Sequence, residues 1–389
     1  MNVNYAEQAR VDHFAPSRAK LGQLDIELTE RCNNDCIHCC VNLPESDRAA
    51  LRDEMSTAAV MRVLDEAAAL GVLDLRFTGG EPLVRTDFRD IYLHARRLGL
   101  RVLLFTNARL ISDELARLFA RVPPLLPIEV SVYGMKRESY EAVSRQAGSF
   151  EEYRRGLDLL GAHGVPFVVK TASLPPNREE SYAFREWASA LPEMTGSPDV
   201  AIFLDLRQRR DSEEKNRRIR ALRLHPARGL ALLRSMSGED LSRMRQFCAR
   251  FMGAPGPRLF PCGAGLGIAV DAFGRAQPCL SLRAPELSYD LLRGSLAEAL
   301  SDFFPKVRAM EATNPDYLER CARCFLKGLC EQCPAKSWAE HGTLDTPVEY
   351  WCDIAHEEAR ELGLLGPGEK AWQVADAGAR VARLVGAKP

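Results

Sequence analysis

No stretch of this chain is long and apolar enough to cross a bilayer, and its first residues, MNVNYAEQARVDHF, lack the apolar core of a secretion signal. Membrane insertion and export are set aside, and a reducing cytoplasm is the expected compartment. Charge of one sign is also lacking. The 52 basic side chains meet 53 acidic ones, so no global field draws the chain to nucleic acid or to a membrane surface. Low-complexity sequence is absent, and 389 residues at 46% hydrophobic content can bury a full core across more than one domain. Cysteine is missing from the whole interval between Cys40 and Cys248, although the chain holds twelve. In a reducing compartment such thiols do not form a disulfide framework, which leaves metal or cluster ligation as their expected use.

The cysteine-free interval carries the fold signal. Short β-rich runs alternate with helix-length segments: LDIELT (24–29), VLDLRF (72–77), RVLLFT (101–106), IEVSVY (128–133), VPFVVKT (165–171) and VAIFLD (200–205). After the capping residue Ser56, the apolar residues Val60, Leu64, Ala67 and Leu70 recur at helical spacing. Six βα units predict an α/β fold with parallel strands, and because the repeat stops near residue 205, a partial (β/α)6 barrel rather than a closed eight-stranded one. Ligands then belong at the C-terminal ends of the strands.

Cys32, Cys36 and Cys39 form C-x3-C-x2-C in the loop after the first run. Three thiolates on a loop can hold three irons of a cubane and leave the fourth open to chemistry. A zinc knuckle completed by Cys40 or His38 is the alternative. After the second run the chain reads FTGGEP, residues 77–82. Two glycines at a strand end admit a ligand to the backbone, and Glu81 can meet an ammonium group. Alone, that segment also reads as a turn into a helix.

Together, the cysteine motif after the first strand and GGEP after the second resemble the radical S-adenosylmethionine (SAM) superfamily. The resemblance implies that Cys32, Cys36 and Cys39 ligate a 4Fe-4S cluster whose fourth iron is chelated by the methionine part of SAM. Reductive cleavage of SAM then yields a 5′-deoxyadenosyl radical, which abstracts hydrogen from a substrate. By the same resemblance, Gly79, Gly80 and Glu81 hold the methionine amino group, His38 takes a place usually aromatic, and Ser131 and Arg145 contact SAM. Asn107, Tyr133 and Lys170 are further polar residues at strand ends; Asn107 is counted with the cofactor-binding residues. Cys40 is expected to be a buried packing thiol. Asp205, ending the sixth run, is read as an acid or base near the substrate, or as a helix cap.

The last third holds Cys262, then Cys279 in VDAFGRAQPC, then CARCFLKGLCEQC with Cys321, Cys324, Cys330 and Cys333, and finally Cys352. Asp271 to Gly274 suits the turn of a β-hairpin. Two C-x2-C pairs alone also suit a zinc ribbon. After a radical SAM core, the order of thiols resembles the SPASM domain, a twin-cluster iron-sulfur extension of peptide- and protein-modifying members. That resemblance implies a distal cluster on Cys321, Cys324, Cys330 and Cys352 and a nearer one on Cys262, Cys279 and Cys333. The gap from Cys330 to Cys333 is one residue shorter than the family pattern. The nearer set lacks a fourth cysteine; either Cys248 supplies it, or Cys248 is an inert helical thiol and the site is open to substrate.

The expected organisation is an N-terminal extension (1–22), the partial barrel (23–206), a basic helical bridge (207–258), a cysteine-rich SPASM domain (259–356) and a helical tail (357–389). The run 207–228 holds nine basic and three acidic residues, which reads as a solvated helix face or as a dock for an acidic partner. The tail offers no functional clue. The resemblance implies an oxidoreductase acting on a ribosomally made peptide or small protein, with a flavodoxin or ferredoxin as electron donor. Only about twenty residues precede the first strand, too few for a winged peptide-recognition domain, so a separate recognition protein or another surface of the chain is expected to take that role. The alternatives are an enzyme of the anaerobic sulfatase-maturating type, a sugar- or porphyrin-modifying relative, and a zinc scaffold without SAM chemistry.

Overall fold

The computed structural model describes residues 21–237, Phe247 and residues 251–384. The proposed N-terminal extension, apart from its last two residues, and Cys248 lie outside the described residues. Two compact units are present. The first holds the described residues up to Ala201 together with Gly265–Leu280 and Ser288–Phe304; the second holds Ile202–Ala264, Ser281–Leu287 and the chain from Pro305 on.

The first unit is built on strands β1 (Gln23–Thr29), β2 (Asp74–Gly79), β3 (Arg101–Thr106), β4 (Ile128–Ser131), β5 (Phe167–Ala172) and β6 (Asp199–Ala201). They pair in sequence order, all parallel. Alternate residues Leu24, Ile26, Leu75, Phe77, Val102, Leu104, Ile128, Val130, Phe167 and Val169 are buried to 1% exposure or less. The intervening positions carry Asp25, Arg76, Phe105, Glu129 and Lys170, each partly exposed. One face is therefore a dry core and the other a polar one, where parallel strands covered on both sides would be apolar throughout. Across the polar face, Arg76 pairs with Asp25 at 3.0 Å and Lys170 with Glu129 at 2.5 Å. Both cations lie over the Phe105 ring.

The helix that follows Ser56, α1 (Thr57–Ala69), starts where its cap predicts, with Ser56 Oγ accepting the N–H of Ala59. Helices α2 (Phe88–Arg97), α3 (Asp113–Arg121), α4 (Arg137–Ser144), α5 (Ser149–Ala162) and α6 (Ser181–Ser189) fill the connections.

The expected boundary between barrel and cysteine-rich domain is crossed by two segments, Gly265–Leu280 and Ser288–Phe304, which belong to the first unit. Strands β7 (Ile268–Val270) and β8 (Arg275–Gln277) form the hairpin expected from VDAFGRAQPC, but they extend the first unit's sheet. β7 lies parallel to β1, and β9 (Tyr289–Asp290) completes the order β9-β8-β7-β1-β2-β3-β4-β5-β6. The edge of β1 would otherwise present unpaired backbone groups, and the wholly buried Ile268–Val270 covers it. The turn is set by Asp271, whose Oδ1 accepts the N–H groups of Phe273 and Arg275, and by Gly274 at φ 79°.

In the second unit, α7 (Glu213–Leu222) and α8 (Pro226–Ser237) precede α9 (Pro334–His341), α10 (Glu349–Glu361) and α11 (Ala377–Leu384). The basic run is only partly a solvated face. Arg207 is 2% exposed and paired with Asp211, Arg210 donates to the carbonyls of Trp338 and Ala339, and Arg223 meets Glu340 at 2.6 Å. Arg207 and Arg223 anchor the unit's interior and Arg210 ties it from the surface, while Arg217, Arg218 and Arg220 keep to the exposed side. No helix among the described residues is long and apolar enough to cross a membrane.

Candidate functional site

The cysteine loop leaves the C-terminal end of β1. Arg31–Cys32 pairs with Leu43–Pro44, which closes the loop at its base. Its far side is tied to the end of α4, where Asp35 N donates to Ser144 O at 2.9 Å and Ile37 N to Val143 O at 3.0 Å. Two thiols accept backbone N–H groups: Cys32 from Asn34 and Cys39 from Asn42, each at 3.4 Å. Cys32 is buried and Cys36, Cys39 and Cys40 are half-buried, so Cys40 is not the buried packing residue expected. Burial pushes the Cys32 and Cys36 thiols up, reinforced by the negative charge of Glu81 and of Cys39 respectively. Thiols so placed become thiolates only beside compensating positive charge, while the N–H groups aimed at sulfur are the donors that support a bound thiolate. The residues present therefore fit an iron-sulfur cluster. Among the described residues, no three His, Cys, Asp or Glu side chains are grouped as a single-ion site. Burial lowers His38 to about 4, and its ring meets the edge of Tyr133 at 5.6 Å.

The glycines of FTGGEP have a second task beside admitting a ligand. A Cβ at Gly79 would stand 2.0 Å from Thr29 O, and one at Gly80 would stand 2.3 Å from Arg31 O. What approaches is the chain's own backbone. Gly80 N donates to Thr29 O at 2.7 Å and Glu81 N to Arg31 O at 2.9 Å, so the glycines weld β2 to the root of the cysteine loop. Glu81 is 1% exposed. Its Oε1 accepts from Thr106 at 2.8 Å and Leu83 N at 3.2 Å, and its Oε2 from Asn107 N at 2.7 Å. Burial nonetheless pushes the carboxyl up to about 7.

Asn107 joins the loop directly, with Nδ2 at 2.8 Å from Asn33 Oδ1 and 3.9 Å from Cys32 Sγ. Arg145, in the left-handed conformation that ends α4, reaches Asp35 at 3.5 Å. Cys32, Cys36, Cys39, Gly79, Gly80, Glu81, Asn107 and Arg145 are thus brought to one loop. Ser131 closes β4 opposite Lys170, partly exposed.

Three supports were not legible in the sequence. Arg31 forms a twin ion pair with Glu54 (2.9 and 3.1 Å), their side chains 8% and 4% exposed, and Thr29 Oγ1 donates to the same carboxylate. Arg109, after β3, donates to Asn33 O and to Asn34 Oδ1 (2.7 Å) and pairs with Glu152 at 2.6 Å. Arg85 donates to the carbonyls of Leu28 and Met55 while paired with Asp87. Each is a long-range contact of an arginine that no local pattern marks.

A second group lies in the second unit. Cys321, Cys324, Cys330 and Cys352 line one cavity with Arg320, Lys327 and Trp372. Burial first, then the charge of neighbouring thiols, pushes Cys321 and Cys330 up to about 12 and Cys324 to about 11. Four thiols that repel one another as anions in a pocket with two cations are a donor set suited to a cluster. Cys333 and the exposed Cys262 belong to this unit, whereas Cys279 belongs to the first, two residues past β8. Asp205 is engaged by Lys336, whose ammonium also meets Glu331 at 3.4 Å and lies 3.9 Å from the Trp351 ring centroid. It caps no helix, since Ser212 caps α7.

Residues 26–187 match the family model of the radical SAM superfamily. The chain is 26% identical over 342 residues to an AdoMet-dependent heme synthase of Methanosarcina barkeri, covering 81% of this chain and 92% of that one. It is 30% identical over 154 residues to a PqqA peptide cyclase of Xanthomonas euvesicatoria, a match spanning 40% of each chain. Among solved structures, SuiB of Streptococcus suis bound to its precursor peptide SuiA superposes with a TM-score of 0.60 over 84% of this chain and 74% of that one, at 15% identity.

Proposed function

We infer from the match of residues 26–187 to the radical SAM superfamily that this chain abstracts hydrogen from a ribosomally made peptide, which it oxidises or crosslinks. The observation that carries the chemistry is the convergence of Cys32, Cys36 and Cys39 with Glu81 and Asn107 at the C-terminal ends of β1, β2 and β3. A cluster bound there supplies the electron that cleaves SAM reductively and so permits attack on an unactivated carbon. The chain's own part is to hold and orient. Asn34 and Asn42 give N–H groups to the ligating sulfurs, and Arg109 and Glu54 fix the loop from two sides. Glu81, held by three donors, stands where the methionine amino group docks. Arg145 and Ser131 complete the SAM contacts.

The four thiols of the second unit hold an auxiliary 4Fe-4S cluster in this reading. Cys262, Cys279 and Cys333 fall on two units, and the reading rests on the four-thiol set alone. A flavodoxin or ferredoxin supplies the electron, and a separate protein recognises the peptide. The peptide is supported by the likeness to a PqqA peptide cyclase and by the fold shared with SuiB, solved with its precursor peptide. A second reading, modification of a tetrapyrrole, is favoured by the heme synthase match, which extends over nearly the whole of that relative.

The test is co-expression of the chain, or of its C32A/C36A/C39A variant, with short proteins encoded beside it, each weighed by mass spectrometry. A mass change that needs the intact cysteines supports the peptide. No change, with conversion of an iron porphyrin by the purified enzyme, transfers the function to the tetrapyrrole. Loss of 5′-deoxyadenosine production in the variant supports the SAM site in both cases, and undiminished production sinks it.

A further inference from the structure

Cys352 differs from the other thiols of the second unit in what donates to it. Cys324 and Cys330 take backbone N–H groups, from Leu326 and Gln332. Cys352, on α10, is met by two side chains: Arg320 Nη2 at 3.9 Å and His356 Nδ1, one helical turn along, at 3.5 Å.

Both donors are held from behind. Arg320 pairs with Glu349 at 2.7 Å, and its guanidinium carbon lies 4.8 Å from the Trp372 ring centroid. His356 is 3% exposed, and its Nε2 accepts the backbone N–H of Ala371 at 3.2 Å. A ring nitrogen that accepts carries no proton, so the neutral imidazole keeps its proton on Nδ1, which is shared between Cys352 Sγ and Cys352 O at 2.9 Å. The Trp372 ring meets the His356 ring at 5.2 Å. Ala371 and Trp372 open the short turn Ala371–Gln373, which lies in the tail that offered no functional clue in the sequence. That tail is anchored: Leu364, Leu365 and Ala371 share a buried cluster with Phe325, Leu326 and Ala355.

We propose that Arg320 and His356 are positioning residues that raise the reduction potential of a cluster held by Cys321, Cys324, Cys330 and Cys352, with Trp372 holding both donors in place. The inference rests on the auxiliary-cluster reading. Reduction adds negative charge that spreads onto the thiolates, and N–H donors and a nearby cation stabilise that charge more than they stabilise the oxidised form. Glu349 offsets part of the arginine's charge, so the donated N–H groups carry the larger share of the effect. The corner of the site at Cys352 is thereby made distinct from the other three.

The test uses the full chain with Cys32, Cys36, Cys39, Cys262 and Cys279 replaced by alanine, so that the four-thiol set is read in isolation. Iron and acid-labile sulfide are measured per chain, and the midpoint potential is followed by electron paramagnetic resonance. Arg320→Met and His356→Phe are each expected to lower the midpoint, Arg320→Lys to restore most of it, and Trp372→Ala to move it in the same direction as Arg320→Met. Retained iron with an unmoved midpoint in both Arg320→Met and His356→Phe overturns the inference. Should Arg320→Met lose its iron, His356→Phe decides: a lowered midpoint supports the proposal and an unmoved one overturns it. A parent chain holding zinc, or neither iron nor sulfide, shows instead that the auxiliary-cluster reading has failed, and the inference falls with it.

Discussion

The backbone N–H of Asn107 donates to Glu81 Oε2 at 2.7 Å, while the Asn107 side chain reaches Cys32 Sγ at 3.9 Å. One residue after β3 thus ties the GGEP segment to a cluster ligand. Glu81→Gln exchanges one acceptor for a donor facing an N–H or hydroxyl group. Leaving one such buried group unmatched costs about 1–3 kcal/mol. The amide also gives up the carboxylate's charge-assisted bond to the methionine ammonium, worth about 1.5–3 kcal/mol; with each 1.4 kcal/mol tenfold, we expect SAM affinity to fall roughly 10-fold or more, with iron content retained. Equilibrium binding of SAM beside an iron assay checks this, and loss of iron at unchanged affinity would contradict it.

The same carboxyl gives a pH dependence in the iron-free protein. Burial holds it at about 7 against 4.5 in the free side chain, so between these values the folded chain keeps a proton that the unfolded chain has released. Its contribution to stability is full below about 4.5 and is lost as pH rises through 7. Wild type should therefore lose stability relative to Glu81→Gln over that window, read by urea denaturation at a series of pH values. Parallel profiles would sink the prediction.

Glu54 and Arg31 form a buried twin ion pair beside the first cysteine. Removing one partner of such a pair costs about 3–5 kcal/mol, because the remaining charge is left uncompensated. Glu54→Gln should lower the urea midpoint and reduce iron retention after gel filtration. Glu114→Gln, which breaks the exposed pair with Arg89, should change the midpoint little.

A Cβ at Gly80 would overlap Arg31 O, whereas one at Gly22 has nothing within 4 Å. Gly80→Ala is expected to separate β2 from the root of the cysteine loop and abolish cluster retention. Gly22→Ala should behave as wild type. Iron per chain and circular dichroism on the two variants decide it, and a Gly80→Ala protein with full iron would refute the close-approach argument.

Local pattern carried the elements further than their partners. RVLLFT is β3 to the residue, Ser56 caps α1 as its position implies, and Asp271 to Gly274 turn the hairpin. These features depend on neighbours within a few positions. The hairpin's alignment beside β1 is a contact across more than two hundred residues, and it moved the expected boundary at residue 259. Asp205 reads in sequence as an acid, base or cap, and its partner Lys336, 131 residues away, is invisible to any local pattern. Arg207 was counted in a solvated basic run although it is almost fully buried, since composition cannot tell an anchoring arginine from an exposed one. Tail residues Ala371 and Trp372 gained meaning only when folded against His356 and Arg320.

The first unit is discontinuous: its sheet waits for Ile268–Val270, made only after the chain has left that unit at Ala201 and returned. A ribosome that has released residues 1–206 has therefore made all six sequential strands but not the one that covers the free edge of β1. Late pairing of this kind closes a loop of more than two hundred residues, an entropic cost that slows folding and leaves a sticky edge meanwhile. Because β1 leads directly into the cysteine loop, loading of iron during synthesis would be expected to follow that late pairing. An excised fragment ending at residue 206 would be expected to aggregate through that edge rather than behave as a minimal enzyme.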